Sequence, residues 1–99
     1  MASYRLTKKA AGDLARIWNY TSDTWSENQA DHYFKMLPDS CQEITDGRVY
    51  GKQYDGIYKG LLGKKAGKHM IFYRILNDSV VEIVRILHER MDLKKRNRE

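Results

Sequence analysis

The apolar spacing of this chain changes once, near its midpoint, and that change constrains the fold more than any other feature. Up to Gly47, hydrophobic residues recur every three or four positions; from His69 onward they alternate. A period near 3.6 lines one face of a helix, and a period of two lines one face of a strand. A chain that is helical first and extended afterwards, instead of alternating between the two, is expected to form an α+β domain. Its 99 residues suffice for one domain. Residues 1–99 are therefore expected to form a single unit, with a mobile basic tail over about 93–99.

Tyr4-Arg5-Leu6 reads as a brief first strand. Thr7 stands at an N-cap position, before Lys8-Lys9-Ala10-Ala11. Ala10, Leu14, Ile17, Trp18, Thr21 and Trp25 then keep helical spacing, which predicts a helix over 8–24. Ser26-Glu27-Asn28-Gln29 is a capping box that opens a second helix. The apolar face of that helix is Ala30, Tyr33, Phe34, Leu37, Cys41 and Ile44. Pro38 lies inside the pattern, removes a backbone donor and crowds the preceding turn, so a kink or break is expected near Met36–Leu37. Gly47 is the expected stop. The short link between the helices makes them an antiparallel hairpin.

Residues 47–58 form a connection with three glycines and no period. Gly60 to Lys64 is a weak strand, and Lys65-Ala66-Gly67-Lys68 a turn. His69–Leu76 and Ser79–Leu87 are strong strands around a two-residue turn at Asn77-Asp78. The expected architecture is a short N-terminal strand and an antiparallel helical hairpin packed on one face of a small antiparallel sheet, in the order β-α-α-β-β-β.

With Leu76 opposite Ser79, Met70, Phe72, Arg74, Val81, Ile83, Arg85 and Leu87 share one sheet face. Ile71, Tyr73, Ile75, Val80, Glu82, Val84, Ile86 and His88 share the other. Both faces are apolar. Ile71, Ile75, Val80, Val84 and Ile86 are the expected helix-facing set, which leaves Arg74 and Arg85 on an open or partly covered face. There they serve either as sheet arginines paired with nearby acids or as guanidinium forks for a partner's carboxylate or phosphate.

Lys and Arg number 18 against 13 Asp and Glu, a formal charge of +5. That balance suits a polyanion or an acidic protein partner. Aromatic residues are not interleaved with the cations as in a stacking platform, and no helix-turn-helix or RNP-type motif is present, so direct sequence-specific nucleic-acid binding is not expected. The glycines do not form a phosphate loop, and the three histidines and one cysteine lack metal-ligand spacing, so no cofactor or metal is expected. Cys41 reads as a small core residue; alone it forms no internal disulfide, which points to a reducing cytoplasm. No apolar run approaches the roughly 20 residues of a membrane span, and Met1 to Arg5 does not begin a signal peptide. One catalytic reading remains open. Arg85, His88 and Arg90 cluster at the end of the last strand, and metal-free RNA cleavage needs an acid–base group and cations. His88 would be the first and Arg85 the second; otherwise His88 is a locally packed strand-end residue.

His69-Met70-Ile71-Phe72-Tyr73-Arg74-Ile75, followed by Val81-Glu82-Ile83-Val84-Arg85-Ile86-Leu87-His88-Glu89-Arg90-Met91-Asp92, resembles the C-terminal signature of ParE toxins in the RelE/ParE superfamily. Tyr4-Arg5-Leu6-Thr7, Asp13-Leu14, Ile17-Trp18, Gln29-Ala30 and Tyr33 resemble the family's first strand and helical hairpin. The resemblance spans nearly the whole chain. It implies a cytoplasmic toxin of a type II toxin–antitoxin system, without catalytic activity, that binds and poisons DNA gyrase and so blocks replication. It also implies a ParD-like antitoxin, in a heterotetramer or higher assembly, whose acidic amphipathic segment lies over the helices and sheet. The residues then expected to meet antitoxin or target are Arg74, Arg85, His88, Arg90, Met91, Phe72, Leu14 and Trp18. Charge reversal at Arg85 is expected to weaken the antitoxin complex. The RelE branch shares the fold but cleaves mRNA on the ribosome; Arg85, His88 and Arg90 carry that alternative. Two features depart from the ParE pattern: Pro38 inside the second helix, and Gly60-Leu61-Leu62-Gly63 in place of an aromatic–arginine pair.

Overall fold

Thr7 links the first strand, the first helix and the last strand. Its hydroxyl accepts from the Ala10 amide at 3.1 Å, as an N-cap does, and donates to the Val84 carbonyl at 2.7 Å. Its own amide donates to the Ile83 carbonyl. The computed structural model describes residues 3–24, 26–47, 50–54, 56, 59–77 and 79–88. They form β1 (Ser3–Leu6), α1 (Lys8–Thr24), α2 (Glu27–Thr45), β2 (Lys52–Gln53), β3 (Leu62–Ala66), β4 (His69–Asn77) and β5 (Val80–His88).

The two helices pack on one sheet of order β1-β5-β4-β3-β2. The β-α-α-β-β-β order is as expected, with two refinements. The sheet is mixed, because β1 lies parallel to β5 while the other pairs are antiparallel. Lys52–Gln53, within the connection, adds a two-residue edge strand against Leu62 and Gly63.

Ser26 caps α2, its side chain accepting from the Gln29 amide at 3.3 Å. The helix then runs through Pro38 without interruption to Thr45, so the expected break does not occur. Leu37, Cys41 and Ile44, all buried on the same stripe, hold both sides of the proline to the core. Burial outweighs the single lost backbone donor. Across the helical hairpin Trp18 meets Phe34 edge to face, centroids 5.1 Å apart.

The expected sheet faces are partly wrong. Asn77 pairs with Val80, not Leu76 with Ser79, and the β4–β5 ladder slips at two further places, between Phe72 and Tyr73 and between Ile75 and Asn77. Each such irregularity breaks the strict alternation of sides. The helix-facing set is therefore Ile71, Tyr73, Val81, Ile83 and Ile86, packed with Leu62 and Ala66 against Ala10, Ile17, Leu37, Cys41 and Ile44. Ile71 and Ile86 stay where expected. Ile75 is 52% exposed, and Val84 joins a second small cluster. That cluster is Leu61, Phe72 and Leu87, with Tyr54, Met70 and Val84 around it.

The connection after α2 is fastened to the sheet at Gly51, whose buried amide donates to the Tyr73 hydroxyl at 2.8 Å. A Cβ at Gly51 would lie 2.6 Å from the Gly63 carbonyl oxygen, so only glycine fits.

Candidate partner-binding site

Arg85 does not lie on an open face. It is 6% exposed, and its guanidinium reaches Asp13 of α1 by two bonds, Nε to Oδ2 at 2.8 Å and Nη2 to Oδ1 at 3.0 Å. Asp13 is itself 3% exposed and also accepts from the Ile86 amide at 3.0 Å and from Arg16 at 2.6 Å. Every bond on this carboxylate comes from a cation or a backbone donor, which is what a buried charge requires. The sequence carried a signal for this pairing. Asp13 falls between Ala10 and Ile17 on the apolar stripe of its helix, and a carboxylate there needs a buried cation.

Arg74 sits differently. β1, β5 and β4 bring Arg5, Glu82 and Arg74 into one cross-strand row. Glu82 meets Arg74 at 2.8 Å and Arg5 at 3.5 Å. The Arg74 side chain stays 39% exposed and that of Arg5 64%. Two guanidinium groups share one carboxylate, so the row keeps a net positive charge toward solvent.

His88 ends β5, half-buried, opposite His69, with the two rings edge to face and 5.4 Å apart. His69 Nδ1 lies 2.6 Å from the Tyr33 hydroxyl, which also accepts from the Lys68 amide at 3.0 Å. Gly67, at φ +61°, lets the β3–β4 turn close against Tyr33 and Met36 of α2. Phe72 is buried under Tyr54, centroids 5.4 Å apart. Leu14 is half-buried against the main core, and Trp18 is half-buried on the hairpin. Arg90 and Met91 lie outside the described residues.

The candidate residues thus fall into separate places: the Arg74 row on the sheet, Leu14 and Trp18 on α1, and His88 at the strand end. Two features missed from the sequence lie near them. One is the Tyr33 hydroxyl that joins α2 to His69 and Lys68. The other is an open groove of about 1000 Å³ along α2, walled by Gln29, His32, Tyr33, Met36, Asp39 and Glu43. Its signal was a second stripe at helical spacing beside the core stripe.

Burial pushes the Cys41 thiol up to about 11, which leaves it protonated and unreactive near neutrality. Among the described residues no group of three or more His, Cys, Asp or Glu is placed to hold a metal, and no helix is long and apolar enough to cross a membrane.

A helical hairpin laid on a five-stranded sheet, with the first strand parallel to the last, is a fold shared with a solved structure described as the chromosomal ParDE TA system from P. aeruginosa. That structure matches with a TM-score of 0.74 and 17% identity, over 89% of this chain and 96% of that one. Residues 4–93 match the family described as the ParE toxin of the type II toxin–antitoxin system, parDE. Toxin ParE1 of Mycobacterium tuberculosis is 33% identical over 90 residues, covering 91% of this chain and 92% of the relative. Toxin ParE1 of Caulobacter vibrioides is 33% identical over 92 residues, covering 93% and 94%. Toxin ParE of Escherichia coli is 30% identical over 96 residues, covering 97% and 93%. The chain belongs to the ParE family of toxins of type II toxin–antitoxin systems.

Proposed function

We propose that this ParE-type toxin poisons DNA gyrase by binding it in the cytoplasm, and that a ParD-like antitoxin neutralises it in a heterotetramer or larger assembly. The observation that carries the choice over an mRNA endonuclease is the burial of Arg85 against Asp13. The nuclease reading needs the Arg85 guanidinium at a phosphate in the transition state. Here that guanidinium is committed to a carboxylate beneath a helix, and freeing it would leave Asp13 as an uncompensated buried charge. His88 without that cation has an acid–base group but lacks its proposed phosphate clamp.

The antitoxin contact is proposed on the surfaces that stay accessible. An acidic amphipathic segment would place carboxylates at the Arg74 row and apolar residues along the Leu14–Trp18 ridge and the α2 groove. His88, Arg90 and Met91 complete the proposed contact set; Phe72, buried under Tyr54, supports it only by packing. Arg85 supports it from below and does not touch the partner.

Purified toxin tested in parallel on gyrase and on translating ribosomes decides the matter. Expected are loss of supercoiling and accumulation of cleaved DNA, reversed by the antitoxin, with mRNA intact. Cut mRNA with unaffected gyrase would overturn the proposal.

A further inference from the structure

The fold segregates the charges of this chain. Residues 1–46, which supply β1 and the helical hairpin, carry five Lys or Arg and seven Asp or Glu. Residues 47–77, which run through β2, β3 and β4, carry seven Lys or Arg and a single Asp. The helices are mildly acidic, and one side of the sheet is strongly basic.

The sheet order collects these cations at one end. Lys52 lies on β2, Lys64 and Lys65 on β3, Lys68 in the turn into β4, and Lys59 in the turn before β3. Lys52, Lys59, Lys65 and Lys68 are exposed and Lys64 is half-buried. Lys52 is registered beside Gly63, so Lys65 stands one strand over and about 7 Å further along. Lys52 and Lys65 thus share one face of a two-stranded array, while Lys64, between the core residues Leu62 and Ala66, belongs to the other face; the turn that carries Lys68 closes at Gly67 against Tyr33 and Met36.

The character of this end selects its partner. Among the described residues, the exposed large apolar side chains Leu6, Tyr20, Ile75 and Leu76 lie on other elements, and only Tyr50 adjoins β2. A protein segment needs buried apolar anchors to bind tightly. A phosphate backbone needs only cations held at fixed spacing. Among the described residues Tyr50 is the one exposed aromatic beside β2, since Tyr54 packs edge to face on Phe72, and one is too few for the stacking on which single-strand binders rely. We infer that the β2–β3 end of the sheet, through Lys52, Lys65 and Lys68, binds the backbone of duplex DNA without regard to sequence. This surface is distinct from the Arg74 row and meets the α2 groove only at Lys68, whose amide donates to Tyr33, and the inference does not depend on gyrase being the target.

The test is fluorescence anisotropy of the full chain with a labelled duplex of about 30 base pairs, across about 50–200 mM NaCl. The logarithm of affinity should fall against the logarithm of salt with a slope near −3, about 0.9 for each phosphate contact. The variant K52Q/K65Q/K68Q should bind at least tenfold more weakly at the lowest salt, with the slope reduced by about 3. The variant K8Q/K9Q/K35Q removes the same charge from the helices and should change affinity less than about twofold. Three results would overturn the inference: no duplex binding at low salt, equal losses in both triple variants, or a single strand or polyglutamate that competes better than duplex. None of these readouts contains gyrase, so failure here and failure of the proposed target are distinguishable.

Discussion

Asp13 and Arg85 stand 72 residues apart in the chain and hold each other by two bonds, at 2.8 and 3.0 Å, with both side chains buried. The pair fastens α1 to β5. Breaking a buried ion pair from one side costs about 3–5 kcal/mol, because the other charge is left without compensation. Asp13→Asn and Arg85→Gln should each lower stability by about 3 kcal/mol in urea unfolding. The double variant Asp13→Leu/Arg85→Met should recover most of that loss, short of the roughly 1 kcal/mol owed to the Ile86 amide. A single variant costing less than about 1 kcal/mol would show that the pair is no anchor. The same burial changes the meaning of charge reversal at Arg85: it should lower the folded fraction before it touches any interface.

Arg74 is the opposite case. Its bond to Glu82 is half exposed, and such pairs contribute at most about 1 kcal/mol. Arg74→Ala should leave the unfolding midpoint nearly unchanged. Calorimetric titration with the antitoxin should show affinity at least fivefold weaker, since rim charges set complementarity with an acidic partner. Unchanged affinity would remove Arg74 from the proposed interface.

The Gly51–Tyr73 bond fastens the connection between α2 and the sheet. In Gly51→Ala the new methyl meets backbone at Gly63, which cannot rotate away, so about 2 kcal/mol should be lost. Tyr73→Phe keeps the packing but leaves the buried Gly51 amide without its acceptor, a cost of about 1–3 kcal/mol. Amide exchange at Gly51 separates the two effects. It should accelerate in Tyr73→Phe well beyond what the global stability change accounts for.

Alkaline pH should destabilise the fold from about pH 9 upward. Burial raises the Cys41 thiol from an ordinary 9.0 to about 11, so the native state keeps a proton that the unfolded chain gives up. Stability then falls as pH rises, by about 1 kcal/mol between pH 9 and 10. Tyr4, raised by burial and by nearby Cys41 and Asp39, acts in the same direction at higher pH. Tyr73, raised mainly by burial although the Gly51 amide lowers it, does so too. Cys41→Ala should be less stable at pH 8 but flatter from pH 8 to 10. A parallel decline in both proteins would assign the alkaline loss elsewhere.

Periodicity carried the order of elements and the two helical stripes, because helix formation here follows local spacing and local caps: Thr7 and Ser26 cap where their side chains stand in sequence. It failed in the sheet, where side depends on register. Asn77 opposite Val80 and two ladder slips are decided by tertiary packing, and they moved Val81 and Ile83 toward the helices and Val84 away. The parallel placement of β1 beside β5 was equally unreadable, since Tyr4-Arg5-Leu6 does not encode its partner. For the candidate site, the residue types were legible and their exposure was not. Arg74 and Arg85 look alike in sequence, yet Asp13 removes one of them from the surface.

Pro38 is the position where local propensity and the fold disagree most openly. Proline in a helix interior costs about 3 kcal/mol relative to alanine, yet α2 continues unbroken to Thr45. The helix is therefore held continuous through the site by its buried stripe, and the strain should be recoverable. Pro38→Ala restores a donor for the carbonyl four residues earlier, at Phe34. It also returns conformational freedom to the unfolded chain, worth about 0.4–1 kcal/mol against the gain. The net should be a stabilisation of about 1–2 kcal/mol, a rise of several degrees in Tm. Helical circular dichroism should stay the same, because the helix already spans the residue. A large gain in helical signal would mean that the proline does break α2 in solution, and a lower Tm would mean that the pyrrolidine ring packs better than a methyl group.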